Sequence, residues 1–125
     1  MLSLSDDETE VFQLYQAIRE NKDEERLIRL FEKGTLTPTT VNKEGLTPFL
    51  FAVDCEFSFK TLKYLLEHGC DINAQVDNGR TALHFALDLE NKALLKFLID
   101  NGADINIEDY EGSSVKKEIE GDKEL

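Results

Sequence analysis

Gly79-Arg-Thr-Ala-Leu-His-Phe-Ala86 restates the segment Gly45-Leu-Thr-Pro-Phe-Leu-Phe-Ala52, which lies 34 residues earlier. A second pair keeps nearly the same offset: Leu65-Leu-Glu-His-Gly-Cys-Asp-Ile-Asn73 returns 33 residues later as Leu98-Ile-Asp-Asn-Gly-Ala-Asp-Ile-Asn106. A fixed period of this size means that one supersecondary unit is stacked on copies of itself, because no single unit can bury its own apolar face. The drop in offset from 34 to 33 puts one additional residue into the earlier copy, within residues 55–59.

Each unit reads as two short helices. Thr47 and Thr81 stand where a helix N-cap is needed, and Pro48 follows at the first helical position, where its missing N–H costs nothing. The first helix is expected to run to about Cys55 in one copy and from Ala82 to about Glu90 in the other, with Asn91 adopting the left-handed conformation that ends it. The second helix carries Phe59, Leu62, Leu65 and Leu66 in one copy and Leu94, Leu95, Leu98 and Ile99 in the other. Their spacing of three and four makes a single apolar stripe. Gly69 and Gly102 are placed to end these helices in a left-handed cap, and Asp-Ile-Asn then leads into polar turns at 42–45, 74–79 and 107–112.

Degraded versions of the unit flank the two clear ones. Residues 8–20 offer Val11, Phe12, Leu14, Tyr15 and Ile18, with Ala17 aligned to Ala52 and Ala86. Residues 23–33 then offer Leu27, Ile28, Leu30 and Phe31 before Gly34. At the other end Tyr110-Glu-Gly-Ser-Ser-Val115 begins another turn and helix, after which the apolar residues run out. Polar, atypical terminal units are what a stack needs to meet water at its ends.

Gly-x-Thr-Pro-Leu-His-x-Ala early in the unit, then Leu-Leu, Gly and Ala-Asp-x-Asn, is the ankyrin pattern, and this sequence resembles it. The match is strong over residues 42–107 and weaker over the remainder of 8–115. The resemblance implies an all-α solenoid of antiparallel helix pairs with projecting hairpin-like turns. It also implies a single ankyrin-repeat domain over residues 1–125, divided into units 8–41, 42–74, 75–107 and a truncated 108–125. Phe49 and Leu50 replace Leu-His in the first clear copy, so the bond expected between His84 and the capping Thr81 has no counterpart there. Asn73 and Asn106 stand in the setting in which ankyrin asparagines are hydroxylated, which marks them as candidate modification positions.

Composition narrows the function. With 41% hydrophobic and 32% charged residues the chain has the make-up of a folded soluble domain, despite a net charge of −12. Residues 1–10 and 108–125 contribute −4 each, leaving −4 for everything between. An acidic field repels phosphate backbones and anionic lipid, so neither nucleic acid nor membrane is expected as a partner, whereas a protein or peptide, possibly basic, is. The start Met-Leu-Ser-Leu-Ser-Asp-Asp-Glu has neither the basic nor the apolar portion of a signal peptide. Two cysteines in a chain rich in aliphatic residues suggest free thiols in a reducing compartment, hence the cytoplasm or nucleus.

No catalysis, cofactor or metal is expected. His68-Gly-Cys70 looks superficially like a ligand pair, but it sits in the helix-ending motif, where the later copy has Asn101 and Ala103. A zinc site would need four ligands at closely defined spacing. Cys55 aligns with Leu89 and is expected to be a small, partly exposed apolar position without a basic activator. No phosphate loop or nucleophile–base motif is present.

A stack of this kind presents its projecting turns and the outward side of its first helices as one concave face. Differences between copies should mark the recognition residues on it. The turns supply Lys43, Glu44 and Leu46, then Asp77, Asn78 and Arg80, then Tyr110 and Glu111; the helix ends supply Asp54 and Cys55, then Asp88 and Leu89. Leu46, Cys55, Leu89 and Tyr110 would form an apolar centre within a polar rim. The leading expectation is a monomeric, non-catalytic adaptor or targeting module binding a protein segment there; the alternative is a regulatory or inhibitory domain excised from a larger enzyme or signalling protein. Phe57, displaced by the additional residue, is equally suited to local burial and to contact.

Overall fold

In the computed structural model residues 6–42 and 44–121 are described. They form seven helices: α1 (Asp6–Asn21), α2 (Glu24–Glu32), α3 (Pro48–Asp54), α4 (Phe59–Glu67), α5 (Ala82–Asp88), α6 (Lys92–Asp100) and α7 (Val115–Gly121). Among the described residues the only β pairing is an isolated bridge between Glu108 and Ser114. The pairs α1–α2, α3–α4 and α5–α6 pack within themselves, and α3, α5 and α7 pack in series. The described residues thus make an all-α stack of helix pairs.

Local chemistry sets the helix starts. Thr47 Oγ1 accepts the Leu50 N–H at 3.2 Å, Ser58 caps α4, and Asp23 Oδ1 accepts the Arg26 N–H at 3.1 Å. In α5 the Thr81 N–H donates to His84 Nδ1 at 3.0 Å. With Nδ1 accepting, Nε2 carries the proton and donates to the Ser113 carbonyl at 2.9 Å. His84 is fully buried and joins its own helix start to the following turn. At the equivalent place in α3, Leu50 is buried in apolar surroundings, so the histidine link has no counterpart there.

Three details differ from the sequence expectation. The left-handed residue between α5 and α6 is Glu90, at φ 55°, while Asn91 caps α6 by accepting the Leu94 N–H at 3.0 Å. An amide side chain serves a helix start better than a strained backbone, and the capping bond decides the matter. Lys22 and Glu56 are the matching left-handed residues, 34 apart like Glu56 and Glu90. This spacing aligns Ile18, not Ala17, with Ala52 and Ala86, since the carbonyls of all three accept the same bond from Asp23, Phe57 and Asn91. The additional residue falls between left-handed Glu56 and α4, where Phe57 makes the bond to Ala52 and Ser58 caps the helix, two roles that Asp23 and Asn91 each fill alone. Phe57 turns inward, 3% exposed, with its ring edge-on to Phe51.

The core runs along the stack. Residues Pro48–Val53 of α3 are all buried, because α3 has neighbours before, behind and after it. Polar side chains stitch consecutive units together. Asn73 Oδ1 accepts the Asp104 N–H at 2.8 Å, Asn91 Nδ2 donates to Glu56 at 3.0 Å, and Lys22 Nζ donates to the Cys55 carbonyl at 3.0 Å.

The first two units share a carboxylate clasp. Glu24 Oε1 accepts from the Ser58 N–H at 3.0 Å, the Ser58 hydroxyl at 2.7 Å and the Thr61 hydroxyl at 2.6 Å. Partial burial pushes the Glu24 carboxyl upward, but the Thr61 and Ser58 bonds outweigh it, and Lys22 adds to them, holding the group below the ordinary glutamate value. A carboxylate with a depressed folded pKa stabilises the fold above its unfolded pKa and loses that contribution as pH falls through the folded one. Glu24→Gln is therefore expected to cost about 1 kcal/mol near neutrality, a charge-assisted value discounted for solvent exposure. It should also flatten the acid limb of stability against pH in urea melts. An acid limb identical to wild type would show that the clasp contributes nothing.

Candidate functional site

Asp88 on α5 and Leu89 at its C-cap lie three and four residues after Phe85, which places the three in a stripe on one side of the helix. Phe51, Asp54 and Cys55 are the same positions on α3, 34 residues earlier. Beside these stripes lie three turns built alike. In each, an N–H to carbonyl bond closes the hairpin: Asn42 to Leu46, Val76 to Arg80 and Asp109 to Ser113. Asn42 Oδ1 and Asp109 Oδ1 each take two further N–H bonds inside their turns. Val76 has no acceptor, and Asn78 Oδ1 takes the Arg80 N–H instead. The turns interlock: the Tyr110 N–H donates to the Asn78 carbonyl at 3.0 Å, and Gln75 Nε2 donates to the Glu108 carbonyl at 3.4 Å.

Electrostatics differ between the two stripes. On α3, Arg19 from α1 pairs with Asp54 at 2.8 Å and Glu44 at 3.0 Å, its guanidinium lying 5.0 Å from the centre of the Phe51 ring. On α5, Arg80 pairs with Asp88 at 2.6 Å and with Asp109 at 3.1 Å. The Asp109 carboxyl is held below the ordinary aspartate value, mainly by the Ser113 N–H, with the Glu111 N–H and Arg80 adding to it against burial.

The expected recognition residues divide accordingly. Glu44, Asp77, Asn78, Asp88, Tyr110 and Glu111 are exposed; Asp54, Arg80 and Leu89 are half-buried. Tyr110 is 76% exposed at its turn tip, its ring edge over Gly79. Lys43 lies outside the described residues. Two expectations are corrected. Leu46 is 4% exposed, because its turn folds it down into the core while Arg80, at the same place one turn on, is drawn outward by Asp88 and Asp109. Cys55, expected to be partly exposed, is 4% exposed. Burial raises its thiol pKa against the pull of Arg19, and burial raises that of Cys70 to about 11. Neither cysteine is poised as a nucleophile.

The apolar centre thus shrinks to Leu89 and Tyr110 and gains Phe85, which is half-buried and was not singled out from the sequence. The signal for it was present: Phe85 is Phe51 displaced by 34, at a place where one copy is covered and the other open. A separate groove of about 860 Å³ lies between α2 and α4, lined by Ile28, Arg29, Lys60 and Tyr64 among others. It shares no residue with the stripe. Among the described residues no group of three or more His, Cys, Asp or Glu is arranged to hold a metal ion, and no helix is long and apolar enough to cross a membrane.

The family model for ankyrin repeats matches residues 14–109, in three copies. No individual characterised protein matches the chain.

Proposed function

Since the chain belongs to the ankyrin-repeat family, whose repeats are in general protein–protein interaction modules, we propose that it is a non-catalytic adaptor or targeting module. It holds one protein or peptide segment of basic character against the turn tips and the α5 stripe. The observation that carries this reading is the grouping of half-open apolar side chains, Phe85 and Leu89 with the exposed Tyr110, beside exposed Asp77, Asp88 and Glu111. An apolar centre inside a polar rim is the arrangement that gives an interface both affinity and register. Cys55 and Cys70 as free, buried thiols suit a reducing compartment, in keeping with the cytoplasm or nucleus.

The test is differential capture. Asp88→Lys reverses a charge that is 63% exposed at the side chain, so its own stability cost should be about 1 kcal/mol or less. Asp88→Lys and Leu89→Arg should each remove the same partners from those retained by wild type, while the Asp88 variant melts within a few degrees of it. Retention of every partner by both variants would overturn the reading. Leu89→Arg alone unfolding the protein would place Leu89 in the core and leave Asp88→Lys as the deciding variant.

A further inference from the structure

The stack contains one occupied copy of its own recognition position. On α3 the seat is made by the Phe51 ring, the Asp54 carboxylate and Glu44 from the adjacent turn, and it holds the guanidinium of Arg19 at 5.0, 2.8 and 3.0 Å respectively. The occupant comes from the preceding helix, α1. Tyr15 from the same helix packs edge-on with Phe51, ring centres 4.6 Å apart, and Phe51 is left with no exposed surface.

One unit on, the seat recurs without that occupant. Phe85 and Asp88 replace Phe51 and Asp54 at the same spacing, and the residue 34 after Arg19 is Val53, buried and uncharged. Phe85 is only half-buried, and among the described residues Phe51 is the one aromatic ring with a cation over it. Arg80 engages Asp88 through Oδ2, yet the Asp88 side chain remains 63% exposed. Asn78 stands in place of Glu44, so the second carboxylate is missing, while exposed Asp77 and Glu111 keep the surroundings acidic.

We propose that the partner segment, on the concave-face reading above, presents an arginine, which stacks on Phe85 and pairs with Asp88 as Arg19 does with Phe51 and Asp54. The preference is for arginine over lysine. A planar, weakly hydrated guanidinium can stack on a ring and bind a carboxylate at once, whereas an ammonium is a strongly hydrated point charge. A cation over an aromatic ring at a half-open site contributes about 0.5–1 kcal/mol, which corresponds to a severalfold difference in affinity.

The experiment is an NMR titration of the whole chain with two capped peptides, Ala-Ala-Arg-Ala-Ala and its lysine counterpart. The arginine peptide should shift the Phe85 ring and Asp88 resonances saturably, with a Kd about threefold or more below that of the lysine peptide. Phe85→Leu should erase the difference between peptides, and Asp88→Asn should weaken both. Equal binding of the two peptides, or shifts confined to the acidic ends of the chain, would overturn the proposal. The broader reading fails separately. A partner that is lost with Leu89→Arg, yet is retained by Phe85→Leu and after its own arginines are changed to lysine, would sink the arginine seat and leave the concave face standing.

Discussion

Phe51→Ala is expected to destabilise the chain by roughly 3–5 kcal/mol, the usual cost of emptying a fully buried aromatic position. The ring has no exposed surface and three partners besides the aliphatic core: Tyr15 edge-on at 4.6 Å, Phe57 edge-on at 6.3 Å and the Arg19 guanidinium at 5.0 Å. Each aromatic pair adds about 0.5–1.5 kcal/mol beyond area burial, and the helices around α3 are too constrained to collapse into the void. For a chain of this size such a loss lowers the melting temperature by about 10 °C or more. Because a solenoid is held by nearest-neighbour interfaces, the damage should also be local. Amide exchange in α2 and the described part of α1 should accelerate far more than in α6. Phe85→Ala is the internal comparison: it removes the same side chain from a half-buried place and should cost well under half as much. Near-equal losses for the two variants would mean that Phe51 does not bind the first unit to the second.

Gly79→Ala is the second large effect, and it tests the turns. Gly79 has φ +85°, where any side chain costs about 1–2 kcal/mol. A Cβ there would also lie 2.6 Å from the Tyr110 ring and 2.9 Å from the Tyr110 backbone nitrogen. The ring can swing away, but the nitrogen cannot, since it is fixed by its bond to the Asn78 carbonyl. The substitution should therefore cost about 3 kcal/mol, summing the left-handed penalty and the overpacking. Gly112→Ala separates the two causes, having φ +83° but nothing within 4 Å of its Cβ position. It should cost only the conformational 1–2 kcal/mol. Chemical denaturation of the pair checks this, and equal losses would show that the turns do not interlock through Gly79 and Tyr110.

Much of the architecture can be read from residues 45–106 before any coordinates. Apolar stripes at helical spacing, Thr caps, glycine terminators and the 34-residue offset are local or periodic facts, and helices form from local interactions. The sequence alone puts the left-handed residue between α5 and α6 one place too late, because Asn serves equally as a left-handed residue and as an N-cap. Only the bond from Leu94 separates the two. The pattern of small residues at the place of Ala52 and Ala86 points to Ala17, whereas the divergent first unit fills it with the fully buried Ile18.

The proposed recognition face is legible in outline and not in membership. Copy-to-copy variation marks Asp77, Asn78, Asp88, Tyr110 and Glu111, and all five side chains are exposed. It could not separate Leu46, folded inward, from Arg80 at the same position, because that depends on Asp109 arriving from the next turn. Nor could it tell Phe51 from Phe85. Both phenylalanines precede Ala-x-Asp at the same place in the repeat, and what sets Phe51 apart is that α1 lays Tyr15 and Arg19 against it. The repeat, its helices and its acidity are properties of the chain read in order, since they rest on contacts within about one unit. Which side chains are open to a partner was decided between units, where burial is a property of the neighbour as much as of the residue.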